Sequence, residues 1–356
     1  RTYIKFLISL YTISFFKVFI IFFAIILITN VLEQLEFFKD INLTFYYLIF
    51  LSLLNTPSII FEILPFIFLI TTQFFFISLI EKNELEIFKY TGLNNLKITR
   101  IISIYAFSLS LIFIIVFYNF SALLKNSYLI IKNQYADDGK YLAVITDNGL
   151  WIKDEIHQNI NIINANKIDN EFLLDVTISQ FNKNFEFIRL IQSEKVNILK
   201  TTWKILQPNI LQDNKSNKLS EIELKSNFNL KKINSLFSNL SSLTVLDLFK
   251  LRNSYKSLNY SVVEIDSHLY RIISYPIYLT LITIFSSIIM FNIGYQKNSF
   301  FSVTLGIGLS VIIYYINYFF NVLGTSEKIP VLLSVFLPLV ILSFVNFTSI
   351  IKLNEK

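Results

Sequence analysis

Cysteine is absent, and histidine occurs only twice, at His157 and His268, in a chain of 356 residues. The first absence excludes disulfide staples, thiolate nucleophiles and cysteine-based zinc sites together, and the second leaves no histidine-rich metal centre. Glycine is also scarce, at seven residues. Neither GxxxxGK(S/T) nor GxGxxG occurs, so the chain has no glycine cradle for phosphates and is not expected to bind a nucleotide or other cofactor itself. Charge is the third shortage. Only 16% of residues are charged, against roughly 25% in average soluble chains, whose surfaces water must solvate. What fills the gap is apolar: 54% of residues are hydrophobic and the mean hydropathy is +0.56. These values describe a membrane protein. The net charge of +6 then reads as lysines held on one side of a bilayer, and no nucleic-acid partner is expected.

A hydrocarbon core of roughly 30 Å takes about 20 helical residues. Six apolar runs of that length occur, at about Leu7 to Leu32, Pro57 to Ile80, Ile101 to Leu124, Ile272 to Ile293, Phe300 to Val322 and Val331 to Ile351. The first contains only Lys17 as a charge and is too long for a cleaved signal. Ahead of the second, Phe45 to Leu54 is apolar as well, and a proline kink at Pro57 would join the two. Between the third and fourth runs, residues 125–242 change texture. Phe172, Leu174, Val176 and Ile178 alternate with Leu173, Asp175, Thr177 and Ser179, and a period of two predicts strands. Breaks at Asp147-Asn148-Gly149, Asp169-Asn170 and Asn182-Lys183-Asn184 fall at hairpin-like intervals. Trp151, Phe185, Phe187, Trp203 and Ile205 are the candidate inward residues, as core packing or as the lining of a trough. The fold class is therefore an α-helical membrane protein of six transmembrane helices, three before and three after an inserted all-β domain. Its parts are residues 1–124, 125–242 and 243–356, the last opening with a connecting helix.

Short loops orient the chain. Residues 81–100 carry Lys82, Lys89, Lys97 and Arg100, whereas residues 33–40 carry Glu33, Glu36 and Asp40 against Lys39. Arg1, Lys5, Lys352 and Lys356 place both ends with the lysine-rich loop, on the cytoplasmic side, and three spans then deliver the β domain to the outer face. Residues 81–92 predict a short amphipathic helix stopped by Gly92, with Leu85, Phe88 and Tyr90 toward one side and Glu84, Glu86 and Lys89 toward water. It is either a membrane-edge helix or a docking helix for a cytoplasmic partner. Glu62, three residues before Pro65, is costly in a span unless it faces protein or water. An outer interface and an internal cavity both meet that need. Asp266, His268 and Arg271 precede the fourth span without a nucleophile, as an acid-base cluster or as interfacial polar residues.

The order Pro57, Pro65, Asn83-Glu84-Leu85, Thr91-Gly92, then Asn148-Gly149-Leu150-Trp151-Ile152-Lys153-Asp154, resembles the LptF/LptG (YjgP/YjgQ) permease family. The second half agrees through a helix at about Leu243 to Leu258, Pro276, Gly306, Gly308, Gly324, Pro330 and Pro338. The Gly149 to Asp154 stretch is more similar to the LptG branch than to the LptF branch. The resemblance implies a non-enzymatic permease subunit of an ABC transporter in the bacterial inner membrane, extracting lipopolysaccharide toward the outer membrane. It implies a jellyroll-like periplasmic domain and, as partners, an LptF-like permease, an LptB-like ATPase dimer holding ATP and Mg, and LptC-like and LptA-like bridge proteins. Glu84, Leu85, Phe88, Thr91 and Gly92 would form the ATPase-coupling helix. On the lipid path, Asn30 stands where relatives carry a basic residue, so Lys39 and Arg271 are the substitute cations, with Glu62 nearby. Trp151, Phe172, Val176, Phe185 and Phe187 would continue the path through the β domain. The 37 phenylalanines fit an AT-rich coding bias, along with abundant Ile, Asn and Lys, so none earns a role by number. An ATP-independent receptor with an outer β domain is the competing class, and six spans exceed what it needs. A lipid-modifying enzyme would show paired carboxylates, a metal site or a nucleophile with its base, and none is visible.

Overall fold

The computed structural model describes residues 2–39, 41, 43–135, 150–156, 159–212, 215–230, 232–233, 239–257, 260–293 and 299–354. The turn at Asp147-Asn148-Gly149, and Arg1, Asp40, His157, Leu258 and Lys356, lie outside the described residues. Two compact units result: Arg1–Lys125 with Val263–Lys356, and Asn126–Val262.

The helical unit begins with α1 (Thr2–Phe37), α2 (Phe45–Glu81) and the short α3 (Glu84–Tyr90). Next, α4 (Asn95–Ile112) runs through a π-helical segment, Phe113–Tyr118, into α5 (Asn119–Gln134). After α6 (Val245–Ser257), which belongs to the second unit, come α7 (Val263–Ile293), α8 (Ser299–Thr325) and α9 (Val331–Asn354). Six helical stretches are long and apolar enough to cross a membrane, with mean hydropathies from 1.7 to 2.6. They are the six apolar runs of the sequence, lengthened at their ends. Residues 45–54 do join the second span, in one helix that contains Pro57 and Pro65.

Proline inside a helix removes the N–H that the carbonyl four residues back would accept from. For Pro65 that carbonyl belongs to Phe61, and the Tyr275 hydroxyl of α7 donates to it at 2.6 Å. The two rings also stack, 4.8 Å between centroids. Since lipid tails are as apolar as leucine, helices in a bilayer associate through packing and such interhelical bonds. Ser286 likewise donates to the carbonyl of Leu69, and Phe15 stands edge-on to Phe68 and Phe113. Gly306 permits a close crossing of α8 and α2, because a Cβ there would stand 1.9 Å from the Gln73 side-chain nitrogen.

The second unit is an antiparallel half-barrel. Its strands are β1 (Leu150–Ile156), β2 (Asn159–Asp169), β3 (Phe172–Asn182), β4 (Phe187–Asn197), β5 (Thr202–Leu206), β6 (Asn209–Gln212), β7 (Lys215–Lys218) and β8 (Glu221–Lys225). The order is β1-β2-β3-β4-β5-β8, and β6 leaves β4 at Leu190–Gln192 to carry β7. Trp203 and Ile205 are fully buried, as the sequence predicts. Trp151, Phe185 and Phe187 are not inward: each is more than half exposed. The alternation of β3 also breaks. Asp175 sits at φ 51, a left-handed step that consumes one beat of the period-two pattern. Leu173, rather than Phe172 or Leu174, therefore joins Val176 and Ile178 in the buried row. Asp154, the last residue of the Gly149 to Asp154 stretch, is 1% exposed. It accepts from Ser226 at 2.7 Å and from the Asn227 side chain at 2.8 Å, tying β1 to the segment after β8.

Candidate functional site

Two places in the helical unit gather the singled-out residues. The first is α3, a helix too short to hold by propensity alone. Its ends are fixed instead. Asn83 enters it in the left-handed region at φ 56, one of the few side chains that tolerate it. At the other end the Leu93 N–H donates to the Phe88 carbonyl and the Gly92 N–H to that of Lys89, with Gly92 at φ 84. That pair of bonds is a Schellman stop, for which glycine is suited because it has no Cβ. Leu85, 2% exposed, pegs the helix into a cluster of Leu7, Tyr11, Phe75, Leu79 and Ile98. Phe88 packs beside it and meets Phe6.

These anchors leave a different face for a partner than the sequence pattern suggests. Tyr90 is 88% exposed and Ile87 56%, so Tyr90 lies opposite Leu85 and Phe88, and Ile87 is an apolar surface residue that the pattern does not flag. Periodicity fails over seven residues because about two turns are too few to define a stripe. Glu86, Lys89, Thr91 and Gly92 are exposed, and Glu84 is half-buried. One Glu84 carboxylate oxygen is buried without a hydrogen-bond partner among the described residues, an acceptor whose desolvation they leave unrecovered.

The second place is a cavity of about 110 Å³ on α2, α7, α8 and α9. Its lining includes Glu62, Arg271, Tyr275, Tyr278, Asn317 and Asn321. Glu62 and Arg271, 209 positions apart in the chain, thus reach one site, and both are exposed. At about 1.5 Å per helical residue, Glu62 stands about 28 Å from Glu81 and Arg271 about 33 Å from Ile293, one hydrocarbon thickness from the α3 end. The cost of a charge in a span is avoided at that depth. Tyrosines and asparagines supply neutral donors around the charged pair, a lining suited to an anionic, hydroxyl-rich ligand head. Next to it, the π-helical segment ends at Tyr118, whose ring lies 5.0 Å from Phe61 and whose hydroxyl is 3.0 Å from His268 Nε2. His268 is thereby a bonded interhelical group.

The remaining candidates separate. Asn30 is 2% exposed and is bonded on both sides, donating to Thr56 at 3.0 Å and accepting from Asn55 at 3.2 Å. It holds α1 to α2, a role that does not expose it to a ligand. Lys39 is exposed just past the end of α1. In the β unit, Val176 is buried at 1%, and Phe172 is half-buried with the Lys195 ammonium 4.0 Å over its ring. Phe185 occupies the β3–β4 turn at φ 59, a conformation costly for a bulky residue, with Lys153 5.9 Å from its ring. Phe187 meets Phe181 edge-on. Among the described residues no group of three or more His, Cys, Asp or Glu side chains comes together to hold a metal.

Six spans, with an antiparallel β unit inserted between the third and fourth, define a multi-pass membrane protein. The chain belongs to a particular family of that class: the family model for the lipopolysaccharide export system permease LptF/LptG matches residues 5–352. No curated protein matches the chain.

Proposed function

We propose that this chain is the LptG-like permease subunit of an ABC transporter that extracts lipopolysaccharide from the inner membrane and hands it to a periplasmic bridge. Its partners are an LptF-like permease, an LptB-like ATPase dimer that holds the ATP and Mg, and LptC-like and LptA-like bridge proteins. The lysines of residues 81–100 support an orientation with α3 in the cytoplasm and the half-barrel in the periplasm.

The observation that carries this reading is the construction of α3. A seven-residue helix closed by a Schellman stop at its C-terminal end, pegged by Leu85 and offering Ile87, Tyr90 and a half-buried Glu84, is a rigid key for a groove on another protein. Force from ATP hydrolysis needs such a rigid contact, because a flexible loop would absorb the motion. The Glu62–Arg271 cavity supports the substrate end: a guanidinium beside tyrosines and asparagines suits a phosphorylated sugar head, while acyl chains stay against the apolar helix surfaces. Phe185, held at an unfavourable φ and exposed, supports a lipid contact in the half-barrel, since strained positions persist where function uses them.

The test is co-purification of the chain with its candidate ATPase, followed by mass spectrometry of bound lipid. Ile87→Asp and Tyr90→Ala should lower ATPase recovery at least about tenfold, since buried aromatic and apolar anchors carry most of an interface, and Glu84→Ala should lower lipid-stimulated turnover. Undiminished recovery and turnover in all three variants, each still folded, would leave the receptor reading in its place.

A further inference from the structure

After β8 the chain forms α6 (Val245–Ser257), a helix with two apolar faces where one suffices for folding. Its start is fixed by a threonine cap: the Asp247 N–H donates to the Thr244 hydroxyl, which in turn donates to the Asp247 carboxylate at 2.6 Å. That bond holds the Asp247 carboxyl below its usual range, against the opposing effect of burial, and the nearby Lys250 adds a lesser lowering. One face packs: Leu248 and Leu251 are buried. Tyr255 continues that face to Tyr260, whose ring meets Phe228 and whose hydroxyl bonds both the N–H and the carbonyl of Lys153 on β1. Burial pushes the Tyr260 hydroxyl up to about 12, so it stays a donor throughout the physiological range.

The other face has no such cover among the described residues. Leu246, Phe249, Asn253 and Lys256 follow one another at spacings of three, four and three, which places them on one side of a helix, and Lys250 lies one turn beyond Leu246. Leu246 is 73% exposed and Phe249 46%, and the Lys250 side chain is 78% exposed. Two large apolar side chains flanked by lysines form the pattern of a helix that lies in a membrane interface, apolar groups among the acyl boundary and ammonium groups at the phosphates. The charge agrees. Between Val245 and Ser257 there is one acid, Asp247, against Lys250, Arg252 and Lys256. The connection agrees as well, because Val263, where the fourth span begins, follows Ser257 by six residues, a reach of at most about 20 Å.

We infer that α6 is a membrane-surface helix whose Leu246–Phe249 face inserts into the headgroup boundary of an anionic phospholipid surface. Lys256 pairs with the phosphates there, and Lys250, whose ammonium lies 3.2 Å from the Asp247 carboxylate and is 78% exposed, adds its charge to the same face. This goes beyond transport itself, since the surface bound is bulk phospholipid and not the cargo.

The absence of cysteine makes the test direct in the full-length protein. Leu246→Cys, Phe249→Cys and, as a reference on the exposed strand β7, Asn217→Cys are each labelled with bimane. Each is reconstituted in nanodiscs of phosphatidylcholine, with or without phosphatidylglycerol, carrying nitroxide-tailed lipid. The bimane at 246 and 249 should be quenched at least about twofold more than at 217, and more strongly with phosphatidylglycerol. Adding Lys250→Glu with Lys256→Glu should remove the phosphatidylglycerol increment and leave the Leu248–Leu251 packing, read by circular dichroism, unchanged. Quenching at 246 and 249 equal to that at 217 would overturn the inference. So would shielding of both positions from lipid nitroxide and aqueous iodide alike, which would mean that protein covers the face, or quenching that ignores the anionic lipid.

Discussion

Removing one oxygen from Tyr275 should cost more than its size suggests, and how much depends on a residue on another helix. Pro65 leaves the Phe61 carbonyl without its helical donor, and the Tyr275 hydroxyl replaces that donor at 2.6 Å. A buried acceptor left unsatisfied costs about 1–3 kcal/mol. Interhelical bonds in bilayers measure lower, about 0.6 kcal/mol on average and up to about 1.7, because the membrane-inserted unfolded state finds other partners. Tyr275→Phe should therefore destabilise by about 1–2 kcal/mol, a five- to thirtyfold change in the folded ratio. Pro65→Ala returns an N–H to position 65, which can satisfy Phe61 from within α2. In that background the same Tyr275→Phe change should cost less than about 0.5 kcal/mol, so the double-mutant cycle should show coupling of about 1 kcal/mol. The ring stacking on Phe61 is kept in every variant, so it cancels. Reversible unfolding in bicelles by steric trapping provides the free energies. Equal costs of Tyr275→Phe in the two backgrounds would refute the assignment of the hydroxyl to the proline-freed carbonyl.

Other outcomes follow from the same physics. Single cysteines at Asn95 and Asn182 should label from opposite faces of sealed vesicles, and labelling of both from one side would defeat the six-span orientation. Gly306→Ala drives a methyl into the fully buried Gln73 side chain and should destabilise by about 1–3 kcal/mol; Gln73→Ala should relieve it, which thermal unfolding of the two variants and the pair will show. The Asp247 carboxyl, held below its ordinary value of 3.8 by the Thr244 hydroxyl and, to a lesser degree, Lys250 against the effect of burial, contributes stability that is present above pH 3.8 and lost as pH falls through the lower folded value. A carbon-13 titration of Asp247 should show this depression in the wild type and its loss in Thr244→Val, with α6 amides exchanging faster in acid only where the bond exists.

The six spans, their lengths and the β insertion were legible in the sequence because each is a local, one-dimensional property. An apolar run of about 20 residues needs a bilayer wherever its neighbours lie, and alternation needs a sheet edge or core. Gly92 as the stop of α3 was legible for the same reason: its requirement for a left-handed step is set by its own backbone. Which way side chains point was only partly so. A single left-handed residue, Asp175, reverses the rows of β3, and a π-helical segment ending at Tyr118 turns the third span so that this ring meets Phe61 and His268. No periodicity count anticipates either step, since both are stabilised by neighbouring strands and helices. The tertiary structure alone brought Glu62 and Arg271 to one cavity, sealed Asn30 between α1 and α2, and buried Leu85 while exposing Tyr90. Each of these depends on distances between residues far apart in the chain. Those distances are set by how four or more helices pack, a collective result of close contacts and freed carbonyls that no single segment encodes.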